Sequence, residues 1–291
     1  MIQTSRQLKD LVRNLAGSTG IEAHVLIRRY MMERLLERIS ASPYRNRFIL
    51  KGGVLISALV GMDTRSTMDI DATVRGLPVT VSDMEQILTE IIAVPMEDGV
   101  QFRIKSISNI MDDMEYSGVR ASLEALLDKS VTPLKLDVST GDAITPREVS
   151  YSYKLMFEDR NIPLMAYPLE TVLAEKLETI LSRSTLNSRM RDFYDIHILM
   201  ETLSHEISDE TLTKALAATM TKRGSEVHRE DAEAVLCAVE ASPEILQLWK
   251  KYRGKYKYAE DCPWENVMRS VRLLAAEAGL HVNSPRPDKR S

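Results

Sequence analysis

The hydrophobic period changes partway along this chain, and that change limits what it can fold into more than any single motif does. Between Val100 and Phe157 apolar residues alternate: Val100, Phe102 and Ile104; Val119, Ala121, Leu123 and Ala125; Leu134, Leu136 and Val138; Tyr151, Tyr153, Leu155 and Phe157. A period of two puts alternate side chains on opposite faces, so these stretches predict successive antiparallel strands packed on one side. Ile162 to Ala166 predicts one more. From Pro168 onward the pattern is helical throughout, with amphipathic segments at 168–183, 190–203, 208–220, 225–240, 242–252 and 263–278, the last ended by Gly279.

Ahead of the strands, helical patterns cover 5–15 and 22–39, with Ser18 or Thr19 able to cap the second and Ser42-Pro43 ending it. Arg47 to Lys51 predicts a short strand running into the turn Gly52-Gly53, and 54–60 predicts one or two helical turns. A second strand is expected from Met68 to Val74, and Ser82-x-x-Glu85 matches a capping box opening a helix through Ile92. The fold class is therefore α+β: a mixed sheet with flanking helices over 1–167 and a mainly helical lobe over 168–291, in keeping with 291 residues, where single cores begin to divide. The tail from His281 is expected to fray. No apolar run reaches the roughly 18 residues needed to span a bilayer, and two cysteines make no disulfide framework, so a soluble, cytoplasmic protein with no membrane partner is expected. A net charge of −4 excludes a uniformly basic binder and leaves room for a local phosphate-gripping patch.

The chemistry concentrates at Met68-Asp-Ile-Asp-Ala-Thr-Val74. Ile70, Ala72 and Val74 take one face and leave Asp69 and Asp71 on the other, about 7 Å apart from two rises of a strand. A solvated strand-end pair would look the same. Leu134-Lys-Leu-Asp-Val138 repeats the arrangement, however, so a neighbouring strand can bring Asp137 to the pair. Three carboxylates without a supporting histidine or cysteine cluster suit Mg²⁺, and two such ions can clamp an in-line phosphoryl displacement. The five histidines lack ligand spacing. Lys51-Gly52-Gly53 before a short helix offers backbone amides to phosphate oxygens, although a Gly-Gly pair more often marks an ordinary turn.

Taken in order, Lys51-Gly-Gly, a short helix, Arg65-Ser-Thr-x-Asp69-Ile-Asp71 and Asp137 resemble the nucleotidyltransferase superfamily. Tyr167-Pro-Leu-x-x-x-Leu-Ala-Glu-Lys176-Leu, followed by Arg191-Asp192-x-Tyr-Asp195 and preceded by helices ending Glu33-Arg-Leu-Leu-x-Arg38-Ile-Ser-x-Ser42, is similar to the AbiEii/AbiGii toxin branch over roughly residues 1–200. The resemblance implies a toxin paired with an antitoxin, using NTPs with Mg²⁺, and in some relatives adding nucleotides to tRNA 3′ ends. It implies that Gly52 and Gly53 cradle the triphosphate with Lys51 and Arg65 nearby, and that Asp69, Asp71 and Asp137 hold metal, Asp137 also activating the acceptor. It gives Lys176 the part of neutralising phosphate, and Asp192 and Asp195 that of a last acidic motif. Val54 departs from the family's usual Thr or Ser after the Gly-Gly, leaving Ser57 or backbone amides to substitute.

Some of these positions have plainer readings. Lys176 lies within the stripe Leu169, Val172, Leu173, Leu177, Ile180 and Leu181, where it must snorkel or meet an anion, and Lys176→Met is expected to leave folding intact or slightly improved. Asp192 and Asp195 share a helix face and suit either catalysis or pairing with Arg189 and Arg191. Arg65 suits a phosphate or Asp63. A nucleic-acid footprint is expected around Arg183, Arg189 and Arg191, and Trp249-Lys-Lys-Tyr-Arg-Gly-Lys-Tyr-Lys-Tyr258 interleaves rings with cations as RNA contact or as a solvated face. The expected activity is NMP transfer to a tRNA 3′ end or other RNA; the alternatives are transfer to a protein hydroxyl, or a non-catalytic toxin that sequesters a partner.

Overall fold

Thr4 opens the first helix with a reciprocal cap: its hydroxyl accepts the Gln7 amide and its own N–H donates to the Gln7 side chain. The computed structural model describes residues 2–110 and 118–283. In it α1 (Ser5–Thr19) runs through both Ser18 and Thr19 and ends at left-handed Gly20, so neither residue caps α2 (Ala23–Ala41). Next come β1 (Phe48–Lys51), α3 (Gly52–Val60), β2 (Ile70–Val74) and α4 (Val81–Ile92). The cap of α4 is Thr80, whose hydroxyl accepts from the Asp83 amide; the expected Ser82 box falls inside the helix.

The strands β3 (Val100–Asn109), β4 (Val119–Leu127), β5 (Ser130–Thr140), β6 (Val149–Lys154) and β7 (Asn161–Ala166) complete a seven-stranded sheet of order β3-β4-β5-β2-β1-β7-β6. The expected antiparallel succession holds for β3-β4-β5 and for β6-β7, while β2 and β1 join the two groups through parallel pairings with β5 and β7. Leu155 and Phe157, expected in the same strand as Tyr151 and Tyr153, lie beyond the end of β6. Leu155 N–H donates to the Arg160 carbonyl and closes the turn between β6 and β7 around Phe157. Ile70, Ala72 and Val74 share the buried face with Leu134, Leu136 and Val138, and α2 packs against β5 and β7. Burying most of α2 requires pairing its charges, and Arg29 meets Glu33 at 3.2 Å, Arg34 meets Glu158 at 2.8 Å and Arg38 meets Asp98 at 2.7 Å.

The remaining helices are α5 (Leu169–Arg183), α6 (Met190–Leu203), α7 (Asp209–Arg223), α8 (Ala232–Ala241), α9 (Pro243–Lys255) and α10 (Trp264–Glu277). The helix expected over 225–240 is divided into a 3-10 turn, Glu226–Arg229, and α8, because the buried stripe Ala232, Leu236 and Val239 begins only at Ala232. The chain forms two compact units: Met1–Asp142 with Glu148–Tyr167, and Ala143–Arg147 with Pro168–Ser291. The expected fraying from His281 falls mostly on residues 284–291, outside the described residues. Cys237 and Cys262 are free thiols. Among the described residues no helix is long and apolar enough to cross a membrane.

Candidate functional site

Strand register assembles a row of charges across the sheet. Lys51 on β1 lies opposite Asp71 on β2, Asp71 lies beside Asp137 on β5, and Asp137 lies opposite Arg120 on β4. Directly opposed residues share a face, so cation, two carboxylates and cation form one line across four strands. Asp69 adds its charge from the bend just before β2, which begins at Ile70 and not at the expected Met68. The Asp71 carboxyl is pushed above its ordinary range by burial first and then by Asp137, with Asp69 adding to it, against the opposing charge of Lys51 and a hydrogen bond from the Gly53 amide.

The Gly52-Gly53 turn is built around that carboxylate. Gly52 holds φ +63°, and a Cβ there would stand 2.8 Å from Asp71 Cγ and nearer still to Oδ2. Only glycine fits. A Cβ on Gly53 would stand 2.7 Å from Thr67 Oγ1 and 3.5 Å from Arg65 Nη2. Arg65 is buried and donates to the Ser66 carbonyl. Ser57, offered as a substitute for the hydroxyl missing at Val54, is buried in the second turn of α3 and accepts a 3.4 Å hydrogen bond from Arg29. The hydroxyl that does lie against the turn is that of Thr67, within the Arg65-Ser-Thr motif.

Two of the row's members have partners that spacing along the chain does not reveal. Arg120 grips both oxygens of Asp137, Nε to Oδ1 at 2.8 Å and Nη2 to Oδ2 at 2.6 Å. Lys51 Nζ donates to Ser139 Oγ at 2.8 Å and to Asp142 Oδ2 at 2.5 Å, and Tyr167 donates to the same Asp142 oxygen at 2.6 Å. Burial would raise Asp142, but Lys51 and the three hydrogen bonds outweigh it and hold the carboxyl below the usual range.

The donor chemistry fits a hard divalent cation. The ligands at hand are carboxylate oxygens, and a cation would offset the burial that chiefly raises Asp71 as well as the repulsion from Asp137 and Asp69. Among the described residues, however, no three His, Cys, Asp or Glu side chains are grouped to hold a metal ion. Mg²⁺ commonly needs only one or two carboxylates beside substrate phosphates, and Asp69 and Asp71 would be the two to supply them, Asp137 being held by Arg120.

In the helical unit, Lys176 on α5 meets both acids of the later motif, Asp192 Oδ1 at 2.7 Å and Asp195 Oδ2 at 2.8 Å. Burial would depress the ammonium, but these two charges outweigh it and raise it instead. Asp192 and Asp195 thus both pair with Lys176, so Lys176→Met, expected from the apolar stripe to leave folding intact or slightly improved, would remove a cation that two carboxylates share. Arg189 and Arg191 are exposed and Arg183 is half-buried.

The family model for the nucleotidyl transferase AbiEii toxin of type IV toxin–antitoxin systems matches residues 34–270. The chain belongs to that family. An AbiEii toxin of a type IV system implies an antitoxin partner. The solved structures of a nucleotidyltransferase candidate from H. pylori and of JHP933 from Helicobacter pylori resemble this AbiEii chain at 14% and 15% identity, each with TM-score 0.48 over 89% of this chain, covering 96% and 93% of theirs. No curated protein matches.

Proposed function

We propose that this AbiEii toxin transfers an NMP from an NTP to an RNA acceptor, most simply a tRNA 3′ end, in the cytoplasm. The observation that carries the reading is the pairing of Asp71 with Asp137 beside a Gly52-Gly53 turn shaped to the Asp71 carboxylate. Asp69 and Asp71 would hold Mg²⁺, two ions in the full arrangement, which when bound supplies charge neutralisation at the phosphates. Gly52 and the start of α3 would face phosphate oxygens, with Thr67 and buried Arg65 bracing the turn from behind. Lys51, oriented by Asp142, Ser139 and Tyr167, would counter the triphosphate's charge. Asp137 would orient the acceptor hydroxyl and take its proton as the oxygen bonds to the α-phosphorus and pyrophosphate departs, with Arg120 fixing the carboxylate.

Lys176 is satisfied by two carboxylates, so it acts as a positioning residue joining α5 to α6, together with Asp192 and Asp195. Service as a phosphate neutraliser would require it to leave both. Arg183, Arg189 and Arg191 would contact RNA. Incubating the purified chain with total RNA and each labelled NTP in turn tests the reading: label in RNA that disappears in Asp69→Ala is expected. Label in protein would favour transfer to a hydroxyl of a protein, and no label in any polymer would favour a toxin that sequesters its partner.

A further inference from the structure

The basic stretch after α5 and the ring-and-cation segment at the end of α9 are distant in sequence, and the structure joins them. Arg191, in the first turn of α6, donates Nη2 to the Tyr256 hydroxyl at 2.9 Å, 65 residues away, with its guanidinium carbon 5.7 Å from the centroid of the same ring. The Lys255 ammonium lies 5.4 Å from that centroid. Tyr256 stacks on Tyr258 at 5.3 Å and 23°.

Beneath this pair the chain is anchored. The Tyr194 hydroxyl donates to the Tyr258 carbonyl at 3.1 Å, the Tyr252 and Tyr258 hydroxyls meet at 3.0 Å, and buried Trp249 stacks on Tyr252 while its indole N–H donates to the Cys262 carbonyl. Exposed Lys250, Lys251, Lys255 and Lys257 are carried on this fixed frame, and no acidic residue occurs between Ile245 and Ala259. Lys251 and Lys255 are one helical turn apart and so project from the same face of α9. Burial would raise the Tyr256 phenol, but the hydrogen bond and charge of Arg191 and the charge of Lys255 outweigh it and lower it, as a strongly positive surface would.

We propose that the face formed by Arg191, Tyr256 and the lysines of residues 250–257 is a docking surface for the phosphodiester backbone of RNA, with the half-exposed Tyr256 and Tyr258 offering ring edges to bases. An acidic peptide would satisfy the lysines but has no use for the paired rings; RNA uses both. The inference rests on the reading that the acceptor is RNA, and it assigns acceptor binding in large part to the helical unit. Tyr256 serves as a positioning residue, holding Arg191 in line with the lysines.

The test is fluorescence anisotropy of a labelled mixed-sequence single-stranded RNA oligonucleotide with the full chain, across a salt series and without NTP or Mg²⁺. For the quadruple variant Lys250→Gln, Lys251→Gln, Lys255→Gln, Lys257→Gln, affinity at low salt should fall at least about tenfold. The slope of log affinity against log salt should flatten by about 2 to 3, from about 0.7 per lost phosphate contact on a single strand. Tyr256→Ala, which changes no charge, should weaken binding several-fold. The melting temperature should not move, because the lysines are exposed; if it does, the pair Lys250→Gln, Lys251→Gln should show half the loss of slope. Unchanged affinity and slope in the lysine variants would overturn the proposal, as would polyglutamate competing as well as RNA at equal charge, which would indicate an acidic protein partner. Because NTP is absent, RNA binding that behaves as expected in a protein that transfers no nucleotide would sink the transferase reading and leave the docking surface standing.

Discussion

Replacing Lys176 by methionine keeps the stem and removes the ammonium that lies between Asp192 and Asp195. The Asp195 side chain is only 1% exposed and that of Asp192 14%, so little of either carboxylate is open to water. Breaking a buried ion pair by removing one partner costs about 3 to 5 kcal/mol, because the charge left behind keeps its desolvation penalty without compensation. At the several degrees per kcal/mol typical of domains this size, the melting temperature should fall by about 10 °C or more. In the wild-type protein the Lys176 value is raised, so its contribution is complete below the ordinary lysine range and is lost only above it. Thermal melts by circular dichroism from pH 5 to 9, with Lys176→Met, Asp192→Asn, Asp195→Asn as the charge-free comparison, provide the assay. The triple variant should recover much of the loss. A Lys176→Met protein that melts at or above wild type at pH 7 would refute the reasoning and return Lys176 to the role of a spare cation awaiting phosphate.

Two further substitutions probe the sheet site. Asp71→Asn should cut nucleotide transfer by more than about 10², yet raise the melting temperature in EDTA at pH 7, since a carboxyl held above its unfolded value opposes folding when ionised; the gain should fade as pH falls. A lower melting temperature at pH 7 would show that Asp71 is a net structural asset. Gly52→Ala and Gly224→Ala share a left-handed φ of 63°, so each pays about 1 kcal/mol in conformation, but the Gly224 site has no atom within 4 Å while the Gly52 site abuts Asp71. Gly52→Ala should therefore be clearly the less stable of the two, and equal losses in urea denaturation would contradict the close packing of turn and carboxylate.

What could be read along the chain was whatever is local or periodic. The alternation through residues 119–138 located β4 and β5, and the parity of Asp71 and Asp137 against their apolar neighbours put these two carboxylates side by side on one sheet face, whereas Asp69 lies just ahead of β2. Pairing partners were not legible, because they depend on register between segments. Arg120 reaches Asp137 across 17 residues and Lys51 reaches Asp142 across 91, and no spacing within a single strand encodes either. Lys176 illustrates the same limit on a helix. Its position in an apolar stripe required it to snorkel or to meet an anion, and the choice was decided by how α6 packs beside α5, bringing Asp192 and Asp195 to it. The interrupted helix before Ala232 and the Thr80 cap were missed for a humbler reason: several nearby residues can start a helix, and the buried stripe selects among them.

The assignment of Ala143–Arg147 to the helical unit, although the strands on either side of it belong to the sheet unit, bears on how such a protein can be taken apart or could have been put together. The backbone passes from one unit to the other three times, and Thr145 exchanges two hydrogen bonds with Thr171, its N–H donating to the Thr171 hydroxyl and its carbonyl accepting from it. A truncation after Tyr167 therefore removes the partner of a loop it retains, and a fragment beginning at Pro168 lacks five of its own residues. The helical unit is threaded into its neighbour's sequence rather than appended to it. An ancestor could not have acquired it by a single terminal fusion without also remodelling the connection between β5 and β6, and a laboratory dissection faces the same obstacle unless it grafts that loop along with the helices.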